Sequence, residues 1–263
     1  MALAEIRFEG KAIGKDSSML VILPDRAGGG ARYPVFYLLH GLSDDHTIWL
    51  RRTRIEWYVR DLPLIVVMPD AGRSFYCDAV EGPAYERYLI EDVIGLVDRF
   101  LPTIAGRDMR VIGGLSMGGY GALKLGLKYP DMFCSVTAHS GCHAVVRKVA
   151  ERGGYPPLEH AAPELARIFG ASPGPENDPF ALAEAWAEQR AAARLPRIRI
   201  DCGVDDFLLD DNRSLHAHFE RLGIEHEYEE FAGQHDWDYW DEHIQEAIAF
   251  HCKALGIEPT TPP

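Results

Sequence analysis

Near-continuous apolar runs alternate along this chain with segments of helical periodicity, and that rhythm restricts the fold more than any other feature. Val35–Leu39 precedes a helix expected over Leu50–Arg60. Leu64–Met68, stopped by Pro69, precedes one over Tyr85–Leu101, where Leu89, Val93, Leu96 and Val97 keep helical spacing and Pro102 follows. Val111–Leu115 precedes a helix over Gly118–Tyr129, and Phe133–Ala138 is a further strand. Ile198–Cys202 and His226–Phe231 continue the rhythm, with helices over Asp210–Leu222 and Trp237–Leu255. Strands that are apolar on both faces belong to a parallel sheet covered by helices on both sides. The class is therefore α/β, with a mostly parallel sheet. The first 30 residues add two strands, Ile6–Glu9 and Met19–Leu23, and a flexible tip at Gly28-Gly29-Gly30.

Residues 141–189 break the rhythm. Gly153-Gly154-Tyr155-Pro156-Pro157 and Ser172-Pro173-Gly174-Pro175 punctuate them, and no buried strand is readable. Long irregular insertions in α/β folds sit over sites. The expectation is one domain over residues 1–263, with a cap of short helices inserted at about 141–190 and a frayed tail over 258–263.

Charge narrows the partners. Twenty-seven Lys and Arg against 40 Asp and Glu give 27 − 40 = −13. No nucleic-acid partner is expected, because phosphate binding needs a basic face; docking on an anionic membrane is disfavoured for the same reason. The chain starts MALAEIRFEG, where Glu5 and Arg7 leave no apolar signal core, and its longest apolar candidates, VFYLLHGL and LIVVM, are far too short to span a bilayer. Cys77, Cys134, Cys142, Cys202 and Cys252 are odd in number, scattered, and form no C-x-x-C pair, which fits a reducing cytoplasm. Asn212-Arg213-Ser214 has the form of a glycosylation sequon and reads as coincidence.

The sharpest chemical signal is Gly114-Leu115-Ser116-Met117-Gly118, directly after a strand and directly before a helix. That is the context of a G-x-S-x-G nucleophile elbow, which strains a serine and holds its hydroxyl at a helix N-terminus. With 25 Gly and 9 Ser in 263 residues, chance supplies about 0.08 such patterns before the strand–helix context is required.

A serine hydroxyl needs a base, and in this topology the chain order is Ser, acid, His. His235, in the loop after the last strand, has the right place; His216 and His218 sit in a helix one strand too early and do not share a helix face. The acid belongs just past Cys202, where Asp205 and Asp206 both qualify, while Asp210 and Asp211 read as solvated charges at a helix N-terminus. The oxyanion donors are expected to be the N–H of Met117 and that of Leu42 in His40-Gly41-Leu42-Ser43, where Gly41 lets the backbone approach substrate. No dinucleotide, P-loop or zincin motif is present, and Asp44-Asp45-His46 reads as a solvated loop rather than a cation site. Neither metal nor cofactor is expected.

His40–Ser43, Val67-Met68-Pro69-Asp70, Gly114–Tyr120, Asp206-Phe207-Leu208 and Gly233-Gln234-His235-Asp236-Trp237 together resemble the esterase D-type esterases. This α/β-hydrolase family includes tributyrin esterases, S-formylglutathione hydrolases and feruloyl esterase modules, and is related to the antigen 85 mycolyltransferases. The likeness runs in order along nearly the whole chain apart from the cap. Asp45–Trp49 and His235–Trp240 look closest to the tributyrin esterase group. The resemblance implies an α/β-hydrolase fold, with Ser116 as nucleophile, Asp206 as acid because Phe-Leu follows it, His235 as base, and Leu42 and Met117 as oxyanion donors.

It also implies a serine carboxylesterase acting on small-molecule, short-chain acyl esters through an acyl-enzyme. The Cys-bearing stretch expected of formylglutathione hydrolases after the oxyanion loop is absent, so thioester hydrolysis or acyl transfer on the same triad is the second reading. A non-catalytic binding protein is the third, disfavoured because Ser, Asp and His all stand at workable places. Trp49, Tyr155, Phe169 and Trp186 are the bulky aromatics expected to shorten an acyl pocket, and exposed cap surface is where a homodimer would form.

Overall fold

The computed structural model describes residues 1–25, 30–188 and 194–257. Gly28 and Gly29 of the expected tip, residues 189–190 at the far edge of the expected insertion, and the tail 258–263 lie outside the described residues.

Eight strands form one sheet in the order β1-β2-β4-β3-β5-β6-β7-β8. β1 (Ala2–Gly10) and β2 (Lys15–Leu23) pair antiparallel, and β2 pairs antiparallel with β4 (Ile65–Pro69). β3 (Val35–Leu39), β4, β5 (Arg110–Leu115), β6 (Ser135–His139), β7 (Arg197–Gly203) and β8 (Glu227–Phe231) run parallel. β3 to β6 are buried throughout, as their uninterrupted apolar character requires. β1 alternates in exposure, and β8 carries Glu227, Glu229 and Glu230; charge and alternation are what edge strands tolerate. Successive β3 residues feed opposite cores. Val35, Tyr37 and Leu39 face one cluster, while Phe36 and Leu38 face the other. Both clusters are packed by helices, so the sheet is the middle layer.

The helix expected over Leu50–Arg60 is two helices, α1 (Ile48–Arg52) and α2 (Ile55–Val59). The break has one local and one distant cause. Thr53 is extended at φ −132, its hydroxyl donates to Trp49 O at 2.5 Å and accepts from Ile55 N at 3.2 Å, and Arg54 N donates to Asp241 Oδ1 at 2.7 Å. The next helical stretch runs α3 (Tyr85–Arg87), a π turn over Tyr88–Val93, then α4 (Ile94–Phe100). α5 (Met117–Lys128) follows β5 directly. Between β6 and β7 lie α6 (Val145–Arg152), α7 (Ala162–Phe169) and α8 (Pro179–Glu188), with 3-10 turns between them. α9 (Leu209–Leu222) and α10 (Trp237–Leu255) close the pattern. Among the described residues, no helix is long and apolar enough to cross a membrane.

A buried ion cluster ties α3 to α5. Lys124 and Lys128 each reach Glu86 at 2.7 Å, and the Tyr129 hydroxyl donates to it at 2.6 Å. Burial pushes the Glu86 carboxyl up, but the Lys124 ammonium and the donated hydrogen bonds outweigh it and hold it at about 2. A depressed carboxylate contributes stability above its unfolded value, and that contribution is lost as pH falls towards the folded value. The expected result is that Glu86→Gln lowers stability at neutral pH by about 3 kcal/mol, as breaking a buried pair does. It also flattens the fall of Tm as pH drops from 4.5 towards 2. Parallel Tm–pH curves for the two proteins would contradict this account.

Candidate active site

β5 ends at Leu115 and α5 begins at Met117, leaving Ser116 as the whole turn. Its φ of 53 and ψ of −116 lie outside the ground a side chain prefers, so the surroundings must enforce them. They do so by close approach. A Cβ on Gly114 would stand 2.6 Å from Leu39 O, and one on Gly118 would stand 2.5 Å from the same oxygen. Only glycine at both positions lets the end of β3 press against the elbow. Ser116 N donates to His139 O at 2.9 Å, and Tyr120 N to Ser116 O at 3.0 Å. The serine side chain caps nothing in α5, so its hydroxyl is free for other partners.

That partner comes from a loop 119 residues away in sequence: His235 Nε2 lies 3.1 Å from Ser116 Oγ. The other face of the imidazole meets Asp206, with Nδ1 at 2.8 Å from Oδ2 and 3.0 Å from Oδ1. Asp206 is buried, and its Oδ1 also accepts Leu208 N at 2.8 Å. A backbone turn holds it there, with Asp206 N donating to Gly203 O at 3.1 Å and Asp205 N to Gly233 O at 2.9 Å. An orienting carboxylate, an imidazole and a hydroxyl in line can move a proton off the hydroxyl. Of the two acids the residues left open, the structure sets Asp206 against His235 and leaves Asp205 exposed.

Leu42 and Met117 are both buried, and Met117 directly follows Ser116. Met117 N is an unpaired helix-start donor, and neither its N–H nor that of Leu42 has a protein acceptor among the described residues. The Leu42 loop is fixed from both sides. Asp44 Oδ2 accepts Gly41 N at 3.2 Å, His40 Nδ1 donates to Gly41 O at 2.7 Å, and His40 Nε2 accepts Ala71 N at 2.9 Å. His40 is thus a clamp between the ends of β3 and β4. Asp45 is exposed, as expected of a solvated loop charge, and caps its own turn by accepting Thr47 N at 2.8 Å and Thr47 Oγ1 at 2.6 Å.

His235 stands among aromatics that the residue pattern alone did not single out. Trp240 meets His235 edge-on at 4.9 Å, and Phe207, 53% exposed, lies 4.4 Å from it. Of the aromatics expected to shorten a pocket, Trp49 is buried, donates its indole N–H to Leu39 O at 3.1 Å and packs edge-on against Trp237. Tyr155 is buried with its hydroxyl on Asp211. Phe169 packs edge-on against Phe75 at 5.9 Å, and Phe75 N donates to Met117 Sδ at 3.3 Å. Trp186 lines a different cleft, with Phe250 and His226. A cleft of about 430 Å³ opens between the loop after β4 and α7, lined by Arg73, Ser74, Tyr85 and Ile168 among others, with no triad residue in its lining.

Another expectation needs correction. Asp211 is not a solvated helix-start charge: it is buried and bonded to Lys148 and Tyr155, because α6 and the turn after it fold over α9. Asn212, by contrast, is buried and donates to Gly141 O and Leu208 O, which agrees with reading the sequon as coincidence. His216 bonds His226 at 2.8 Å and His218 bonds Phe180 O at 3.2 Å, so neither meets Ser116, in line with their place one strand too early.

The family model described as Putative esterase matches residues 10–251. An acetyl esterase of Caldicellulosiruptor saccharolyticus is 32% identical, over 96% of this chain and 99% of its own. FphF, a fluorophosphonate-binding serine hydrolase of Staphylococcus aureus solved with substrate bound, superposes with a TM-score of 0.84 at 29% identity, covering 95% of this chain and 97% of that one. An S-formylglutathione hydrolase from the same organism superposes with a TM-score of 0.80 at 29% identity, covering 95% and 98%.

Proposed function

This chain belongs to that esterase family and has the α/β-hydrolase fold, and on that premise we propose that it is a serine carboxylesterase that hydrolyses short-chain acyl esters through an acyl-enzyme. The observation that carries the reading is the hydrogen-bonded line from Ser116 Oγ through His235 to Asp206. His235 takes the hydroxyl proton as Ser116 Oγ attacks the ester carbonyl, and the C–O bond breaks as His235 returns that proton to the leaving alcohol. Water then attacks the acyl-enzyme with His235 again as base, releasing the acid and restoring Ser116. Leu42 N–H and Met117 N–H receive the negative oxygen; removing one such donor typically costs about 3 kcal/mol in the transition state.

In this reading the helices between β6 and β7 cap a single α/β domain. Its support is the contact of Phe169 with Phe75, whose N–H reaches Met117 beside the nucleophile. Five buried thiols, none of them in a disulfide, support a reducing compartment, the cytoplasm. Short acyl groups are supported by the relative named an acetyl esterase.

The S. aureus neighbour titled S-formylglutathione hydrolase favours a second reading, and a substrate panel separates the two. The expected order in kcat/KM is acetyl and butyryl p-nitrophenyl esters above octanoyl by about tenfold or more, since overlong chains must clash where short ones fit. S-formylglutathione is expected to fall below p-nitrophenyl acetate, because a protein at −13 gives no steering to an anionic thioester. A higher kcat/KM for S-formylglutathione would put the thioesterase reading first.

A further inference from the structure

Asp201 on β7 is fully buried, yet it lies outside the triad and outside any apolar logic in a strand that reads Ile-Arg-Ile-Asp-Cys. Its Oδ1 takes two donors, His139 Nδ1 at 2.9 Å and the Tyr239 hydroxyl at 2.9 Å. Its Oδ2 makes no hydrogen bond, and Arg199 Nε stands 3.9 Å from it. A buried carboxylate with one oxygen unsatisfied is a costly way to fill a core, and apolar residues of similar volume in such places are often neutral or stabilising. Stability alone does not account for it.

The two donors lead to the two halves of the triad. His139 pairs with Leu115 across β5 and β6, and its carbonyl accepts the N–H of Ser116 at 2.9 Å. Tyr239 stands in the first turn of α10, directly after the loop that carries His235. Its N–H donates to Asp236 Oδ1 at 3.0 Å, and its ring occupies the space a Cβ on Gly233 would need, 2.7 Å from Cδ2. A third link runs through the backbone: Asp201 O accepts the N–H of Ser140, a residue held at φ 48. Ser140 Oγ accepts Trp240 Nε1 at 3.4 Å, and the Trp240 ring stands edge-on to His235.

We propose that Asp201 is a positioning residue that sets the separation of Ser116 from His235, acting on the nucleophile through His139 and on the base loop through Tyr239 and Ser140–Trp240. The proposal rests on the assignment of Ser116 and His235 made above. The triad line tolerates little error, because a displacement of about 1 Å between reacting groups costs up to 10²-fold in rate. Asp201 joins the end of β6, which holds Ser116 N, to the first turn of α10, which follows the His235 loop.

The test compares Tyr239→Phe, which removes only the hydroxyl on Asp201, with Thr137→Val, which removes an equally buried hydroxyl bonded to His251 on the neighbouring strand β6. Measurements are kcat and KM for p-nitrophenyl acetate, the rate of phosphonylation of Ser116 by a fluorophosphonate, and Tm. Tyr239→Phe is expected to lower kcat and the phosphonylation rate by about tenfold with KM within about twofold. Thr137→Val is expected to lose similar Tm while keeping both rates. Asp201→Asn, which keeps an acceptor for Tyr239, should retain more kcat than Asp201→Leu. Unchanged rates in Tyr239→Phe, or an equal loss in Thr137→Val, would overturn the hub. Absence of phosphonylation at Ser116 in the unaltered protein would overturn the esterase reading itself, and the hub with it.

Discussion

Ser116→Ala is expected to lower kcat for p-nitrophenyl acetate by roughly 10⁴-fold or more while leaving Tm close to that of the parent, because triad members act as a unit and the first loss removes nearly all of the effect. The local structure argues for an intact fold. The Ser116 hydroxyl caps no helix end, and its hydrogen bond is to His235. The backbone at φ 53 is held by Ser116 N on His139 O and by the close approach of Leu39 O to Gly114 and Gly118, none of which involves the side chain. A Ser116→Ala protein that kept near-parental turnover would remove the basis of the assignment.

Asp206 and Asp205 are adjacent in sequence and opposite in circumstance, so their amides should behave very differently. Asp206→Asn is expected to cost roughly 10³–10⁴-fold in kcat. An amide at this position can turn its NH₂ towards His235 Nδ1, stabilising the tautomer in which Nε2 carries the proton and no longer accepts one from Ser116. It also withdraws the negative charge that balances an imidazolium formed 2.8 Å away. Asp205→Asn changes an exposed side chain whose residue is held through its backbone N–H on Gly233 O, and kcat is expected to stay within about twofold. Steady-state kinetics of the two variants side by side is the check, and a reversed order of effects would move the acid to Asp205.

The sheet was legible because β3 to β6 are buried on both faces, a condition that leaves almost no freedom in residue choice. The elbow was legible because its glycines answer a local steric demand, the approach of Leu39 O, that any sequence making this turn must meet. What stayed hidden depends on partners far along the chain. The break between α1 and α2 depends on Asp241, 187 residues from Arg54. The burial of Asp211 depends on Lys148 and Tyr155. The Asp201 network joins β6, β7 and α10, and its local signal was an acid and an arginine, Asp201 and Arg199, at buried positions of one strand. Trp49 and Tyr155 read as pocket walls because large aromatics near a site invite that reading. Their polar atoms instead satisfy Leu39 O and Asp211, the usual need of a buried indole or phenol.

In the proposed reaction Ser116, activated by His235, is the nucleophile. Treating the protein with a fluorophosphonate and mapping the adduct by peptide mass spectrometry tests it most directly, since the reagent phosphonylates an activated serine and spares ordinary ones. One stoichiometric adduct is expected on the peptide containing Ser116, lost in Ser116→Ala and formed far more slowly in His235→Ala. An adduct on another serine, or equal labelling of the His235→Ala protein, would contradict it.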